Sequence, residues 1–388
     1  MLQGQPAGRR PTILAMRRLI LTFFLLSLIL LGAADTQSGP RVQISHTSEA
    51  LRGASAVSRN VAWASGTHGT YLRTVDGGTT WTPAQVPNAG ALDFRAVVAF
   101  SADEAFLMSA GSGDQSRIYH TSDAGKSWQL QFQNKNPKGF FDSMAFWDPT
   151  HGVVLGDPIA NDTGKLTFEV LTTDDGQNWQ AVPAATLPPA IDGEGAFAAS
   201  NTCLAILPGG PDGNIWFATG GKAARVFHSP DRGQSWQVFE TPIVHGPDSA
   251  GIFSIAFRDP MHGVIAGGDY KRPNDDGPNL AFTEDGGKTW NLSWLHPVAY
   301  FSAAAYDRKV NAQAIHEALV EKRMRVQGAA PQRIFLVGQD LILDFRPPHG
   351  PRRINGKKKL GIQFNAVSAY PDGGALVVGP KGSVALIP

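Results

Sequence analysis

The chain has 388 residues, of which 42% are hydrophobic and 17% are charged, with 43 glycines and 27 prolines. Its formal charge is +1 at pH 7, and it has a single cysteine. This composition predicts a turn-rich chain that forms a core, and it argues against a disordered chain, a general nucleic-acid binder and a fold held by disulfides.

The first segment is organised like a secretory signal peptide. Arginines precede an apolar run from Leu19 to Leu31, and small residues follow as far as Ala34. The run has 13 residues, whereas a membrane span needs about 20. We therefore expect residues 1–34 to be a signal peptide that starts at Met16, and the protein to be exported to the periplasm or the extracellular space. An uncleaved N-terminal anchor is the alternative.

Downstream, a short polar turn recurs five times. Each copy reads Ser or Thr, any residue, Asp, any residue, Gly, two further residues and Trp. The copies span Thr74–Trp81, Thr121–Trp128, Thr172–Trp179, Ser229–Trp236 and Thr283–Trp290, and their aspartates are Asp76, Asp123, Asp174, Asp231 and Asp285. The carboxylate can accept backbone N–H groups within the turn, and the closing Trp can bury a large apolar surface between sheets. Runs rich in β-forming residues flank each turn, which predicts a hairpin.

A second repeat lies upstream of these turns. Residues 143–156 and 254–267 match at a separation of 111 residues, or two units of roughly 55. Each copy reads as a strand, an Asp-Pro turn and a second strand that ends at Gly. Together with the Asp hairpin, every unit therefore has four strands, as a β-propeller blade does.

Seven such units fit the chain. Their first strands are predicted near Leu51, Phe94, Phe141, Gly195, Phe253, Phe301 and Phe364. The sixth unit lacks the Asp turn and holds a basic, partly helical insertion at about residues 308–332. The seventh unit has only three strands, and we expect residues 41–44 to supply the fourth. The prediction is an all-β, seven-bladed β-propeller of four-stranded antiparallel blades, formed as a single domain by residues 41–388.

The Asp turns resemble the Asp-box of bacterial neuraminidase repeats. The blade arrangement and the closing stretches 364–368 and 378–382 are similar to the photosystem II stability and assembly factor-like propellers. The resemblance implies that the Asp turns join the third and fourth strands on one face and are structural, and that ligands use the opposite face.

Loops of that opposite face hold our candidate ligand-binding residues. They are Arg95, Asp157, Glu194, Asp269 and Lys271, and the two longest predicted loops are 156–165 and 267–279. Long loops on a rigid scaffold commonly carry function. The alternative is that these charges are solvated loop residues.

Residues 322–359 form a basic segment, with ten Lys or Arg against two Asp. Its candidate partner-binding residues are Arg352, Arg353, Lys357, Lys358 and Lys359. Such a patch can steer an acidic partner or contact a membrane surface. A soluble insertion with scattered charge is the alternative.

Motifs for cofactor chemistry are not found in the sequence. It has no cysteine pair, no Gly-x-Gly-x-x-Gly loop and no haem attachment motif, so we predict no cofactor and no metal. We predict an exported, non-catalytic, monomeric scaffold that resembles an assembly factor and binds a protein or cell-envelope partner but no nucleic acid. The alternative is a sialidase-like or other glycoside hydrolase with a carboxylate pair such as Asp157 and Asp269 on the loop face.

Overall fold

The computed structural model describes residue 1 and residues 39–388, except 162, 208–212, 294–298, 310–332, 339–340, 347–350 and 355–361. The predicted signal peptide, apart from residue 1, and most of the predicted insertion lie outside these described residues. The chain from Gly39 onward belongs to one compact unit. It is a seven-bladed β-propeller of four-stranded antiparallel blades, which confirms the predicted fold class.

Each of the seven blades has a first, second, third and fourth strand. First strands, from blade 1 to blade 7, are Leu51–Ala56, Asp93–Ala99, Phe141–Asp148, Leu204–Ile206, Ala250–Phe257, Phe301–Tyr306 and Ala366–Ala369. Second strands are Ala62–Gly66, Ala105–Ala110, His151–Ala160, Ile215–Ala218, Gly263–Asp269, Ile334–Gly338 and Ala375–Gly379. Third strands are Thr70–Thr74, Arg117–Thr121, Leu166–Thr173, Arg225–Ser229, Leu280–Thr283, Leu341–Phe345 and Ser383–Ile387. Fourth strands are Thr82–Gln85, Gln129–Gln133, Gln180–Ala181, Gln237–Glu240, Asn291–Leu292, Pro351–Arg353 and, for blade 7, Arg41–Gln43.

Two short strands and two short helices complete the described elements. Glu194–Gly195 pairs with Gly220–Gly221, and Gly220 also pairs with Gly251 at the start of blade 5. The 3-10 helices are Gly113–Gln115 and Ala184–Thr186.

The ring is closed by the N-terminal strand. First strands of successive blades contact one another in a complete cycle, from blade 1 round to blade 7 and back, so they surround the axis. Arg41–Gln43 pairs antiparallel with the last strand of the chain, with Val42 opposite Ala385. The predicted closure is therefore confirmed, and it covers an edge that would otherwise be open to pairing.

The recurring glycine at the end of the second strand has a steric cause. A Cβ at this position would collide with a backbone carbonyl oxygen close to the start of the first strand of the same blade. This holds for Gly66, Gly156, Gly267, Gly338 and Gly379. The close approach lets the first two strands stay paired at the point where the chain enters the blade.

Seven apolar clusters fill the seven interfaces between adjacent blades. The Asp-box tryptophans take part, each at the interface between its own blade and the preceding one. They are Trp81, Trp128, Trp179, Trp236 and Trp290. Burial of such large side chains between sheets is a main source of stability.

The Asp-box turns are closed by their own side chains. In blade 1, Thr80 N donates to Asp76 Oδ1 at 2.9 Å and Thr80 Oγ1 donates to Asp76 Oδ2 at 2.6 Å. Asp123, Asp231 and Asp285 accept equivalent bonds. The hydrogen bonds to Ser127 lower the pKa of Asp123 to about 2.

The third Asp-box differs from the predicted pattern. The carboxylate of this turn belongs to Asp175, which accepts hydrogen bonds from Asn178 N at 2.7 Å and from Thr173 Oγ1 at 3.1 Å. The predicted Asp174 accepts neither of these bonds. The reason is that Gly176 follows Thr173 by three residues here, whereas four residues separate the corresponding pair in the other turns. The turn is one residue shorter than the other four, so the Asp that closes it is one position later in the sequence than the pattern predicts.

Two further expectations need correction. The first strand of blade 4 is Leu204–Ile206 and does not begin near Gly195, because residues 196–202 leave the blade and cross the ring. The predicted loop 156–165 is mostly a hairpin, in which the second and third strands of blade 3 pair as far as Ala160 and Leu166.

Blade 6, which lacks an Asp-box, has an ion network on the Asp-box face. Arg333 Nη1 lies 2.9 Å from Asp307 Oδ2, and Arg333 Nε lies 3.2 Å from Asp344 Oδ2. Arg346 Nη2 lies 3.0 Å from Asp344 Oδ2. Because Arg333 also donates to the carbonyl of Pro388, the network joins blade 6 to the C-terminus of blade 7.

Candidate functional site

The mouth of the axial channel, on the face opposite the Asp-box turns, is built by repeated bulges. In five blades the pairing of the first and second strands shifts at the second, third or fourth residue of the first strand, so one side chain is left out of register. These residues are Arg52, Arg95, Asp142, Phe253 and Ser302, and Asn365 occupies the matching position just before the first strand of blade 7. Bulges re-aim side chains in this way.

In blade 4, residues 196–202 cross the mouth instead, and we call this segment the plug. Ala198 O accepts a bond from Arg95 Nη1 of blade 2 at 2.6 Å, and Ser200 Oγ donates to Ser302 O of blade 6 at 2.7 Å. Blades 2 and 6 lie on different sides of the axis, so the plug closes part of the channel. Its Phe197 ring stacks on Phe253 of blade 5, with centroids 3.8 Å apart.

Blade 3 holds the other side of the plug. Asn201 Oδ1 accepts a hydrogen bond from Met144 N at 2.7 Å, and Asp157 Oδ1 accepts one from Ala196 N of the plug at 3.0 Å. Asp142 is 1% exposed, and its Oδ2 atom has no hydrogen-bond partner among the described residues. Burial and the nearby charge of Asp157 raise the pKa of Asp142 well above its usual range, against the opposing effect of Arg95.

Beside the plug, the rest of the mouth forms a polar cavity of about 190 Å³, which we call the mouth pocket. Its lining comes from blades 1, 5, 6 and 7 and from the plug: Arg52, Ala199, Tyr270, Tyr300, Ser302, Gln363, Phe364 and Asn365. Arg52 Nε is buried and has no hydrogen-bond partner in the described part of the chain. Burial and the positive charge of Arg95 lower the pKa of Arg52. A guanidinium group in this setting favours a negatively charged or strongly polar acceptor.

A second cavity of about 210 Å³ adjoins the first at Tyr300. The end of the second strand of blade 5 and the loop that follows it supply most of its lining, including Asp269, Arg272 and Asp275. Arg272 bridges the two carboxylates, at 2.9 Å from Asp269 and 3.3 Å from Asp275. Arg272 is therefore paired with both of these carboxylates.

The five predicted ligand-binding residues fall into three environments. Arg95 and Asp157 lie at the mouth, where both hold the plug. Asp269 lines the second cavity, and Lys271 is exposed with its ammonium 6.0 Å from the Tyr270 ring centre. Glu194 is internal: its side chain is fully buried and lies 2.5 Å from Arg225. Asp269 lines the second cavity, whereas Asp157 lines neither of the two cavities.

The predicted basic patch is described only in part. Arg353 is exposed at the end of the fourth strand of blade 6, and Arg352 belongs to the same strand. Lys357, Lys358 and Lys359 lie outside the described residues. Among those that are described, no group of three or more His, Cys, Asp or Glu is placed to hold a metal ion.

Sequence reasoning missed the residues that shape the mouth pocket, above all Arg52, Tyr300 and Asn365. A signal for the bulged positions was present: each follows a large apolar residue and precedes a small one, as in Leu51-Arg52-Gly53 and Phe364-Asn365-Ala366. Aligning that triplet across the repeats places one variable side chain at the mouth in each blade except blade 4.

Comparison with known proteins links the chain to one family of propellers. Residues 36–199 match the family described as "Photosynthesis system II assembly factor YCF48". The photosystem II stability/assembly factor HCF136, chloroplastic, of Arabidopsis thaliana is 23% identical over 58% of this chain and 62% of that protein, less than two thirds of its length. The photosystem II assembly protein Ycf48 of Thermosynechococcus vestitus is 25% identical over 61% of this chain and 70% of that protein.

Among solved structures, a YCF48 bound to a D1 peptide superposes with a TM-score of 0.59 at 16% identity. The match covers 90% of this chain and 96% of that one, and at this identity it shows the shared fold. In the described residues, no helix has the length and apolar character needed to span a membrane. The predicted resemblance is therefore confirmed: the chain is similar to the photosystem II assembly-factor propellers and shares their seven-bladed fold.

Proposed function

We propose that this protein is an exported, non-catalytic scaffold that binds a protein partner at the mouth of its propeller and assists that partner's assembly. The observation that carries the proposal is the mouth pocket, which is lined by Arg52 together with side chains that bear amide, hydroxyl and phenol groups. Such groups recognise carboxylates and the backbone amides of an extended peptide. Relatives named as photosystem II assembly factors, one of them bound to a D1 peptide, support the same class of role.

The position of the pocket also favours a peptide over a compact small molecule. The pocket and the second cavity share Tyr300 as a lining residue, so the two cavities are neighbours and an extended segment could contact both. Aromatic rings line this path: Tyr300 packs against Phe253 at 4.8 Å, and Tyr270 is 47% exposed. Aromatic and guanidinium groups are typical anchors in protein interfaces.

Affinity purification from the native envelope tests the proposal. The wild-type protein is compared with Arg52→Met at the mouth and with Arg59→Met, a matched control on the Asp-box face, where Arg59 pairs with Asp372 at 2.9 Å. We expect Arg52→Met to lose the co-purifying proteins at least tenfold while Arg59→Met retains them. Equal recovery with both variants would show that the partner binds elsewhere.

Export is a separate part of the proposal, and the sequence of residues 1–34 supports it. Cell fractionation followed by N-terminal sequencing tests it. We expect the protein in the exported fraction with a new N-terminus close to Ala34. An intact N-terminus in the cytoplasmic fraction would contradict export.

A further inference from the structure

A buried carboxyl group, that of Asp142, and a partly buried one, that of Asp157, lie where the plug meets blade 3. Asp142 sits at the bulge of the first strand and is 1% exposed, and Asp157 follows Gly156 on the second strand. Only Asp157 has a plug partner, Ala196 N at 3.0 Å, whereas Asp142 Oδ2 has none among the described residues. A buried carboxylate without a compensating partner is costly, so a neutral, protonated carboxyl is the stable form here.

The surroundings do not neutralise the pair fully. The other charged or titratable groups that face it are Arg95 and Cys203. Arg95 divides its hydrogen bonds between Asp93 Oδ2 and Ala198 O, both at 2.6 Å, and so it does not bond Asp142 directly. Cys203 is fully buried, and burial raises the pKa of its thiol, so it contributes no charge at neutral pH.

We infer that Asp142 and Asp157 are positioning residues that retain a proton to hold the plug in the channel, and that loss of this proton releases the plug. The inference concerns the plug alone and does not depend on the proposed partner. When the plug leaves, water reaches Asp142 and more of the partly buried Asp157, the pKa values of both carboxyl groups return to about 4, and one proton passes to solvent.

The pH dependence follows from this proton. The closed state keeps its proton to a higher pH than the open state, so opening releases a proton between about pH 4 and the raised pKa of the closed pair. Across that window the open fraction increases about tenfold for each pH unit. Release of the plug also alters the mouth pocket, because Ala199 of the plug forms part of its wall.

The chain contains its own reporter for this motion. Cys203 is the single cysteine, is fully buried, and follows the plug directly. A thiol reagent such as iodoacetamide reacts with the thiolate, whose fraction rises about tenfold per pH unit below the ordinary thiol pKa of about 8.5. If opening is also linked to a proton, the alkylation rate of the native protein should rise about a hundredfold per pH unit in the window.

The experiment measures the alkylation rate of Cys203 from pH 5 to pH 8 in the full protein. The alkylation rate of the wild type should rise about a hundredfold per pH unit up to the pKa of the pair, and about tenfold per pH unit above it. Asp142→Asn, which keeps the shape without the proton, should show about tenfold throughout, and Asp157→Asn serves if that variant does not fold. Asp114→Asn, at an exposed acid of the same face, should behave as wild type.

Global unfolding is separated by measuring the urea unfolding constant at each pH. If the plug opens without global unfolding, Cys203 should be alkylated faster than the rate calculated from the unfolding constant. The inference is overturned if wild type and Asp142→Asn show the same slope, whether steep or shallow. It is also overturned if Cys203 reacts only at the rate set by global unfolding.

Discussion

Glu194 was predicted to bind ligand, but in the structure it holds a buried arginine, and this difference can be measured. Its side chain is fully buried against Arg225, whose side chain is 8% exposed. Glu194 Oε1 accepts bonds from Arg225 Nε at 3.0 Å and Thr219 Oγ1 at 2.6 Å. Oε2 accepts Arg225 Nη2 at 2.5 Å and Ile191 N at 2.9 Å. We expect Glu194→Ala to be destabilising because it leaves a buried guanidinium with too few partners.

The magnitude follows from the kind of contact that is lost. Removing one member of a buried ion pair costs about 3–5 kcal/mol, most of which is the uncompensated charge that remains. Arg225 retains its bond to Pro189 O at 3.0 Å and its contact with the Phe227 ring, so the lower half of that range is expected. The double variant Glu194→Met/Arg225→Met removes both charges and leaves no unpaired charge. It should therefore regain at least half of the unfolding free energy that Glu194→Ala loses.

Urea unfolding followed by tryptophan fluorescence measures these changes, with a constant dependence on urea as the check on two-state behaviour. Partner binding by folded Glu194→Ala should stay within about twofold of wild type, since Glu194 does not line the mouth pocket. A variant as stable as wild type that no longer binds its partner would refute the structural role and restore Glu194 as a ligand residue.

Three further predictions concern the Asp-box, acid stability and the basic segment. Asp175→Ala should lower the urea midpoint while Asp174→Ala leaves it unchanged; the reverse order would contradict the shorter turn. Burial lowers the pKa of His228 to about 4 in the folded state, so stability should fall as pH drops from about 6.5 towards 4, where only the unfolded chain binds the proton. His228→Gln should flatten that part of the pH profile of urea unfolding; an unchanged profile would rule out this residue. Reversing the charges of Lys357–Lys359 should weaken capture of an acidic partner or of anionic vesicles, and unchanged binding of both would exclude the patch.

The repeat made the ring predictable. Each Asp-box indicates its own turn, and a Phe or Leu marks the first strand of six of the seven units, so the units could be counted without knowledge of their contacts. The closure by Arg41–Gln43 followed from a strand count, because the last unit was one strand short. These features depend on local chemistry that is repeated, and repetition makes a weak local signal reliable.

The mouth was harder to predict because its geometry depends on neighbours that are distant in sequence. Arg52 and Asn365 lie more than 300 residues apart, and only the closed ring and the bulges bring them into one pocket. The plug departs from the repeat, so residues near Gly195 were assigned to the first strand of blade 4, which Leu204–Ile206 forms instead. Asp174 was preferred to Asp175 because the prediction assumed equal turn lengths. Both errors arose because the regular repeat was used to predict a segment whose structure is not regular.

Site-specific photo-crosslinking in the native envelope tests the central claim, which is that the partner binds at the mouth and not on the Asp-box face. Benzoylphenylalanine replaces Tyr270 at the mouth in one variant and Met261 on the Asp-box face in the other, and these side chains are 47% and 49% exposed. We predict a crosslinked protein partner from position 270 and none from position 261. A partner captured from position 261 alone would contradict the account.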